Sequence, residues 1–438
     1  MLVVGGIIGS GIFLNPTIVA QRLGSTPLIM ATWALGAVVA LLGAVIFAEL
    51  GARHPAAGGG YAYLREAFGD LPAFLYGWAL LLAIASGAAA AVAVIFASYA
   101  APLLGIARLH ERWLAAGAIA LLSLVNAAGV RPGAWTQNVF TMLKLLALAL
   151  VIYSPFSTMA PMDIGLRQVS PVNVMAVGTH WEVMLAVGSA LVPVLFSYGG
   201  WQQANFVAEE MIEPQRNLPR ALVAGVGVVA VVYLAVNLAY LAGLGVQGLA
   251  SSTAPAADLV GTHHLGMNGF NGWRAIRAGI AISTFGFLNL LILVTPRVYQ
   301  AMARDGLFFA SLAAVHPRTR TPVRAIALQG AGAIVLLASG SYGALLDWVT
   351  FADWIFFGLT AATLLVYRRR DTTATVPGFR APMYRTTVLL FVAASVYVVL
   401  GAIVSNPANA LRGTLVLAAG IPVFHWWSRR RASDSLGR

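Results

Sequence analysis

Long runs of apolar residues, separated by short polar stretches, follow one another along almost the whole chain. Each run is close to the length that a helix needs to cross the hydrocarbon core of a bilayer, so the pattern predicts about twelve spans. A short amphipathic helix is also predicted at residues 61–68. The predicted fold class is an all-α integral membrane protein, with spans 1 to 12 at residues 1–22, 27–53, 71–101, 113–129, 135–156, 181–211, 221–244, 273–299, 325–339, 344–367, 383–404 and 411–427.

Two of these spans are interrupted by residues that form helices poorly. Span 1 contains Gly9, Ser10 and Gly11, and span 6 contains Gly199 and Gly200. Glycine costs about 1 kcal/mol relative to alanine in a helix interior. Broken backbone at membrane depth is tolerated only where it is buried in protein or lines a cavity. A pair of interrupted spans in corresponding halves of a chain indicates the substrate site of a secondary transporter.

The composition agrees with a membrane protein, because 59% of the residues are hydrophobic and only 10% are charged, against about 25% charged in soluble domains. The net charge of +12 does not require a nucleic-acid partner, since the arginines cluster at span ends. Their excess on one side predicts a multi-pass protein of the cell membrane with both termini in the cytoplasm.

Cysteine is absent, which excludes a disulfide-linked partner subunit. The first apolar run has no basic segment or cleavage site before it, so a signal peptide is not predicted.

Lys144, the only lysine of the chain, lies inside span 5. A charged residue there costs about 2.5–3.5 kcal/mol on insertion scales, and such residues usually face a cavity or a partner. The alternative is a side chain that reaches back to the membrane surface. Lys144 lies about nine residues into the span, which is about 14 Å deep at 1.5 Å per residue, so that alternative is strained.

The break in span 1 has two interpretations. Free N–H groups at Gly9, Ser10 and Gly11 would bind a carboxylate at the positive end of a helix dipole. The same small residues would also allow close packing of membrane helices. The second break favours the ligand site, because carbonyl groups freed around Gly199 and Gly200 can accept hydrogen bonds from a substrate ammonium group.

Several carboxylates lie near span ends. Glu49, Glu209 and Glu210 are interpreted as gate residues or as members of structural ion pairs, since each can reach an arginine. Asp347 and Asp353 flank the start of span 10 and are expected to be solvated or to cap a helix. The histidines have no metal-ligand spacing, so neither a metal site nor a cofactor is predicted.

In these motifs the chain resembles the amino acid–polyamine–organocation permeases, and within them the L-type amino acid transporter branch. The resemblance covers spans 1 to 8 most strongly and rests on the order and spacing of several motifs together. They are Gly5–Phe13, Glu49–Leu50 with Gly58–Tyr61, Val139–Thr141 with Lys144–Leu145, Phe196–Trp201, and Asn205–Glu210 with Asn217–Arg220.

The resemblance implies a fold of two inverted five-helix repeats, in which helices 1 and 6 are broken. The first repeat would cover residues 1–158 and the second 181–367. Two further helices at 383–427 and a basic cytoplasmic tail at 428–438 would follow. Span 1 is shorter than in the family, which predicts that the native N-terminus is longer.

The resemblance also implies roles for single residues. The substrate amine would be held by the carbonyl groups of Ile7, Phe196 and Gly199, and Phe196 would close over the substrate as a lid. Lys144 would replace a sodium ion and bridge helices 1 and 8. Its ammonium group would donate to carbonyl groups near Gly5 or Gly9, and to Ser283 or Thr284.

The sequence therefore predicts a sodium-independent L-amino acid transporter that works by alternating access as an exchanger. A proton-coupled symporter of the same fold is the nearest alternative, because burial can lower the pKa of a lysine by several units. A membrane-embedded enzyme would need clustered acid, base or nucleophilic groups, which the spans do not offer. A sensor would carry a soluble signalling domain, for which the apolar runs leave no room.

Overall fold

The computed structural model describes residues 1–156, 180–262, 269–339, 342–371 and 378–436, and these residues form helices and no strand. Nine of the described helical stretches are long and apolar enough to cross a membrane, and Val323–Ala338 is a shorter apolar helix. The α-helices, numbered along the chain, are α1 Leu2–Ile7, α2 Gly11–Leu23, α3 Thr26–Arg53, α4 Gly60–Phe68, α5 Asp70–Ala79, α6 Ala85–Leu104, α7 Glu111–Ala128, α8 Val130–Tyr153, α9 His180–Tyr198, α10 Pro214–Ser251, α11 Pro255–Thr262, α12 Gly269–Val294, α13 Pro296–Arg304, α14 Val323–Ser339, α15 Tyr342–Arg370, α16 Tyr384–Ser405 and α17 Pro407–Leu436.

Spans 1 and 6 are interrupted where the sequence predicts. Ile8 ends α1 in an extended conformation, and α2 begins at Gly11. In span 6, α9 ends at Tyr198, and a 3₁₀ segment, Trp201–Glu210, follows after the two glycines. Each interrupted span therefore consists of two shorter helical pieces with irregular backbone between them.

The ends of several other spans differ from the prediction. Residues 214–220, which fall between predicted spans 6 and 7, are the first part of α10, because Pro214 occupies a first-turn position where its missing N–H costs nothing. The stretch between predicted spans 7 and 8 contains the end of α10 and all of α11. A kink at Gly245, with φ 67°, allows α10 to continue. The basic segment after residue 428 is also helical, as part of α17.

The predicted amphipathic helix is present as α4. Within span 3, a π-helical turn at Leu80–Ile84 separates α5 from α6. The histidine pair 263–264 lies outside the described residues, as does the end of the predicted first repeat at 157–158.

Two large clusters of buried apolar side chains meet at the broken spans. Ile7 and Ile8 of the first break belong to a cluster built largely from α3, α9 and α10. Phe287 of α12 and Phe206 of the 3₁₀ segment belong to a second cluster, built largely from α5, α6, α12 and α13. The irregular backbone of span 1 is therefore held between the two cores.

A candidate substrate site between two broken helices

Lys144 occupies the break in span 1. Its side chain is fully buried, and its Nζ donates to the carbonyl oxygen atoms of Gly5 at 3.0 Å and Ile8 at 2.7 Å. The last carbonyl groups of a helix have no donor within that helix. The lysine supplies this donor from α8, so α1 ends without unsatisfied carbonyl groups on this side. The ammonium group also lies 5.8 Å from the centroid of the Phe287 ring.

The second break depends on a backbone conformation that only glycine adopts easily. Gly200 has φ 101°, in the region where a Cβ atom is unfavourable. Its N–H donates to Gln202 Oε1 at 2.9 Å, and the N–H of Gly199 donates to the carbonyl oxygen of Phe196 at 3.1 Å. These bonds form a tight turn between α9 and the 3₁₀ segment.

The two breaks contact each other through backbone atoms. A Cβ atom on Gly200 would lie 2.1 Å from the carbonyl oxygen of Gly6, and one on Gly6 would lie 3.1 Å from that of Gly200. Asn15 of α2 adds a polar link, since its Nδ2 donates to the carbonyl oxygen of Pro193 and to Ser197 Oγ, each at 2.8 Å. Two half-helices from opposite parts of the chain are thus fixed side by side.

A cavity that is partly open to solvent lies against both breaks, and small-molecule sites are usually concave pockets of this kind. It is mostly apolar, with a few polar groups. Its lining includes Ile7, Gly9, Ser10, Gly11, Tyr76, Leu80, Phe196, Ser197, Gly199, Gly200, Gln202, Gln203, Phe206, Phe287, Leu291, Thr295, Thr350, Asp353, Trp354 and Phe357. The structure therefore brings all the residues predicted to bind substrate to one cavity.

The glycines of the first break differ in their surroundings. A Cβ atom on Gly11 would lie 2.8 Å from Ser197 Cα, so Gly11 permits the close approach of α2 and α9. The three atoms nearest to a Cβ atom on Gly9 would all belong to the Phe287 ring, at 3.2–3.5 Å. The packing interpretation thus applies to Gly11 in addition to any role in binding. Ser10 is buried, and its Oγ has no hydrogen-bond partner among the described residues.

Two of the contacts implied for the site are not formed in this conformation. The carbonyl oxygen of Ile7 accepts a hydrogen bond from Tyr233 Oη at 3.0 Å, a buried tyrosine that the sequence analysis did not single out. Lys144 makes no hydrogen bond to Ser283 or Thr284. Thr284 donates to the carbonyl oxygens of Ile280 and Ala281, and Ser283 Oγ is buried without a partner among the described residues. The ammonium group is turned toward span 1, where two carbonyl groups accept from it.

Glu49 lies at the centre of an ion-pair network at one end of the bundle. Its side chain is fully buried, 2.7 Å from Arg53 Nη2, and it accepts hydrogen bonds from Arg368 Nη2 at 2.8 Å and the N–H of Ala381 at 2.7 Å. Arg53 in turn donates to both carboxylate oxygens of Asp371, at 2.9 and 3.0 Å. These hydrogen bonds from Arg53 hold the pKa of Asp371 below its usual range. The network joins the ends of α3 and α15.

The other two glutamates form ion pairs at the same end. Glu210 accepts from Arg297 Nη2 at 3.1 Å, and Glu209 lies 3.6 Å from Arg304 Nη2. Both pairs join the 3₁₀ segment of span 6 to α13. Glu209, Glu210 and Glu49 therefore all take part in ion pairs, and a role as gate residues stays a prediction.

Asp353 is not where the sequence analysis expected it. It lies well inside α15, between Val349 and Phe357, rather than in solvent or at a helix cap, and it lines the cavity. The cavity-lining residues of α15 have helical spacing, at positions 349, 350, 353, 354 and 357. That helical spacing is the sequence signal that places Asp353 on one face with the other cavity-lining residues of α15. The sequence of one helix does not reveal that the neighbouring helices leave a cavity beside that face. The side chain of Asp347 lies outside what the structure describes.

A family model for amino acid permeases matches residues 1–424. The chain belongs to the amino acid permease family. This permease is 31% identical over 427 residues to the large neutral amino acids transporter small subunit 2 of Mus musculus, which covers 97% of the chain and 78% of the relative. It is 33% identical over 413 residues to the b(0,+)-type amino acid transporter 1 of the same species, with 93% and 82% covered. The mouse Asc-type amino acid transporter 1 is 32% identical over 437 residues, with 97% and 78% covered.

These similarities confirm the family resemblance that the motifs indicate, and with it an all-α, multi-pass membrane transporter that is not an enzyme. Because the printed sequence contains no cysteine, this chain forms no disulfide with a partner subunit. Among the described residues, no group of three His, Asp or Glu side chains is arranged to hold a metal ion.

Proposed function

We propose that this permease is a sodium-independent amino acid transporter that exchanges one L-amino acid for another by alternating access. The observation that carries the proposal is the ammonium group of Lys144, bound to two carbonyl groups at the break in span 1, directly beside a cavity formed by both broken spans. A fixed positive charge at this position supplies what a bound sodium ion would supply. The names of the similar transporters support an amino acid as substrate.

The substrate would lie across the two breaks. Its carboxylate would bind the N–H groups at Gly9, Ser10 and Gly11, at the beginning of α2, because the first N–H groups of a helix have no acceptor within it. Its ammonium group would bind carbonyl groups of Ile7, Phe196 and Gly199 once Tyr233 no longer donates to Ile7. Phe196, which lines the cavity, would close over the bound molecule.

Alternating access would involve two repeats, residues 1–158 and 181–367, moving relative to one another, with residues 383–427 and the tail 428–438 attached. The two short helices support this division, since α4 follows span 2 and α11 follows span 7, at corresponding places in the two halves. The excess of arginine at one end supports a cell-membrane protein with both termini in the cytoplasm.

Proton-coupled symport is the second candidate. Lys144 is buried among neutral groups, and burial favours the loss of a proton from a lysine, so the release and return of this proton would accompany transport. Purified protein in liposomes separates the two mechanisms. For an exchanger, uptake of labelled leucine requires unlabelled amino acid inside and is unchanged when choline replaces sodium. Uptake into empty liposomes that is driven by an inward proton gradient would contradict exchange. A steep dependence on sodium would contradict both.

A further inference from the structure

Asp353 is an acidic residue in the lining of the cavity. Asp353 is partly accessible, and it lines the cavity that lies against both breaks. Among the described residues that line this cavity, it is the only Asp, Glu, Lys, Arg or His. Ionisable residues within membrane spans are rare and usually face a partner or a substrate pathway.

None of the described residues serves as a counter-ion for this carboxylate. Within the part of the chain that the structure describes, no group donates a hydrogen bond to Asp353 and no basic side chain lies within ion-pair distance of it. The ammonium group of Lys144 is already bound to the carbonyl groups of Gly5 and Ile8, and Lys144 is not among the residues that line this cavity. Leaving a carboxylate unpaired in such surroundings is costly unless something else in the cavity balances it.

Asp353 lies on a different helix from the groups that would bind the α-carboxylate and α-ammonium of a substrate. Those groups belong to the breaks on spans 1 and 6, whereas Asp353, Thr350 and Phe357 form the wall contributed by α15. Tyr76 of α5 continues that wall, with its ring 5.3 Å from the ring of Phe356. A substrate bound across the breaks would direct its side chain to this wall.

We propose that Asp353 is the counter-ion for a basic substrate side chain, so that this permease transports amino acids such as lysine, ornithine and arginine. The inference rests on the proposed function. A basic amino acid brings one net positive charge into the cavity, and Asp353 balances it. A neutral amino acid leaves the carboxylate without a partner, so neutral substrates should bind more weakly than basic ones of similar size.

The test compares labelled L-lysine and L-leucine exchange by the full chain in liposomes, for the unmodified protein, Asp353→Asn and Asp353→Glu. In the unmodified protein, lysine should exchange and should compete with leucine. In Asp353→Asn the KM for lysine should rise at least about tenfold, because one member of a desolvated charge pair is removed. The KM for leucine should stay the same or fall. Asp353→Glu retains the charge and should retain lysine exchange.

Glu213→Gln is the matched control, since it also removes one carboxylate but at an exposed position outside the cavity. It should leave the KM for both substrates unchanged.

Exchange of leucine but not lysine by the unmodified protein would overturn this inference alone, whereas exchange of neither would contradict the proposed function. Equal loss of both substrates in Asp353→Asn, with a monodisperse protein, would overturn the inference and assign the carboxylate to the α-ammonium group. If Asp353→Asn keeps the preference for lysine but changes the pH dependence of exchange, the inference is wrong and Asp353 transfers protons instead.

Discussion

Lys144 provides a hydrogen-bond donor at the place where α1 ends and its carbonyl groups need donors. Replacing Lys144 with Ala leaves the carbonyl groups of Gly5 and Ile8 buried without a partner, at about 1–3 kcal/mol each. If the lysine makes these bonds in only one of the two transport conformations, turnover should fall by about 30-fold or more, with a much smaller change in affinity.

Exchange rates and substrate binding, measured on the same liposome preparation, check this prediction for Lys144. Leu146→Ala is the control, because Leu146 lies two residues further along α8 on an exposed face, and it should leave both quantities unchanged. Loss of binding together with loss of turnover would mean that the lysine maintains the site in both conformations.

Asp371 gives a prediction for pH. Because Arg53 lowers its pKa in the folded protein, the folded state retains the charged form to lower pH than the unfolded chain does. The resulting stabilisation is fully present above the unfolded pKa of about 3.9 and is lost as the pH falls through the lower, folded value. Asp371→Asn should therefore melt at a temperature that depends less on pH below about 4. Melting curves in detergent at several pH values test this prediction. If the melting temperature changes with pH equally in both proteins, Asp371 does not contribute to the loss of stability in acid.

At the scale of helices, the contact between the two breaks is the most restrictive feature. Gly200→Ala would place a Cβ atom 2.1 Å from the carbonyl oxygen of Gly6, at φ 101°. The backbone conformation alone costs about 1–2 kcal/mol for a residue other than glycine. We therefore expect a lower melting temperature and loss of exchange.

Gly227→Ala, in α10, is the matched substitution, because nothing lies within 4 Å of its Cβ position and alanine favours a helix. Its melting temperature should equal or exceed that of the unmodified protein. Equal tolerance of both substitutions would show that spans 1 and 6 separate at Gly6 and Gly200 without loss of function.

The spans themselves could be predicted from the sequence, because long apolar runs and interrupting glycines are local signals. The ends of helices were less predictable. Pro214 and Gly245 suggested boundaries, but Pro214 fits the first turn of α10 and Gly245 only kinks it. Asp353 was misplaced for a different reason. Its setting depends on the space that α5, α12 and α15 leave between them, which no single helix encodes.

At the scale of the whole molecule, ion pairs gather at one end of the bundle. Glu49 of α3, Glu210 of the 3₁₀ segment, Arg297 of α13 and Arg368 of α15 all lie toward the C-terminal ends of even-numbered spans, which run in the same direction through the membrane. Opening the cavity at this end would require some of these pairs to separate.

Glu210→Gln should weaken the ion pairing that holds the cavity closed at this end. The Glu210 side chain is 47% exposed, so the loss should be small, about 1 kcal/mol or less, and it should shift populations only a few-fold. Amide hydrogen exchange in Trp201–Glu210 and Pro296–Arg304 should become faster, while the exposed Glu213→Gln leaves it unchanged. Unchanged exchange in both variants would mean that the Glu210–Arg297 pair does not restrain this end.

The burial of Lys144 has a practical consequence in a chain whose sequence contains one lysine and no cysteine. Apart from the α-amino group, an amine-reactive reagent has a single target, and that target is an interior atom bound to the broken helix. The extent of its modification, followed by mass spectrometry of the intact protein, reports how often span 1 releases the ammonium group to water. The unmodified sequence thus already carries its own chemical reporter of conformational exchange.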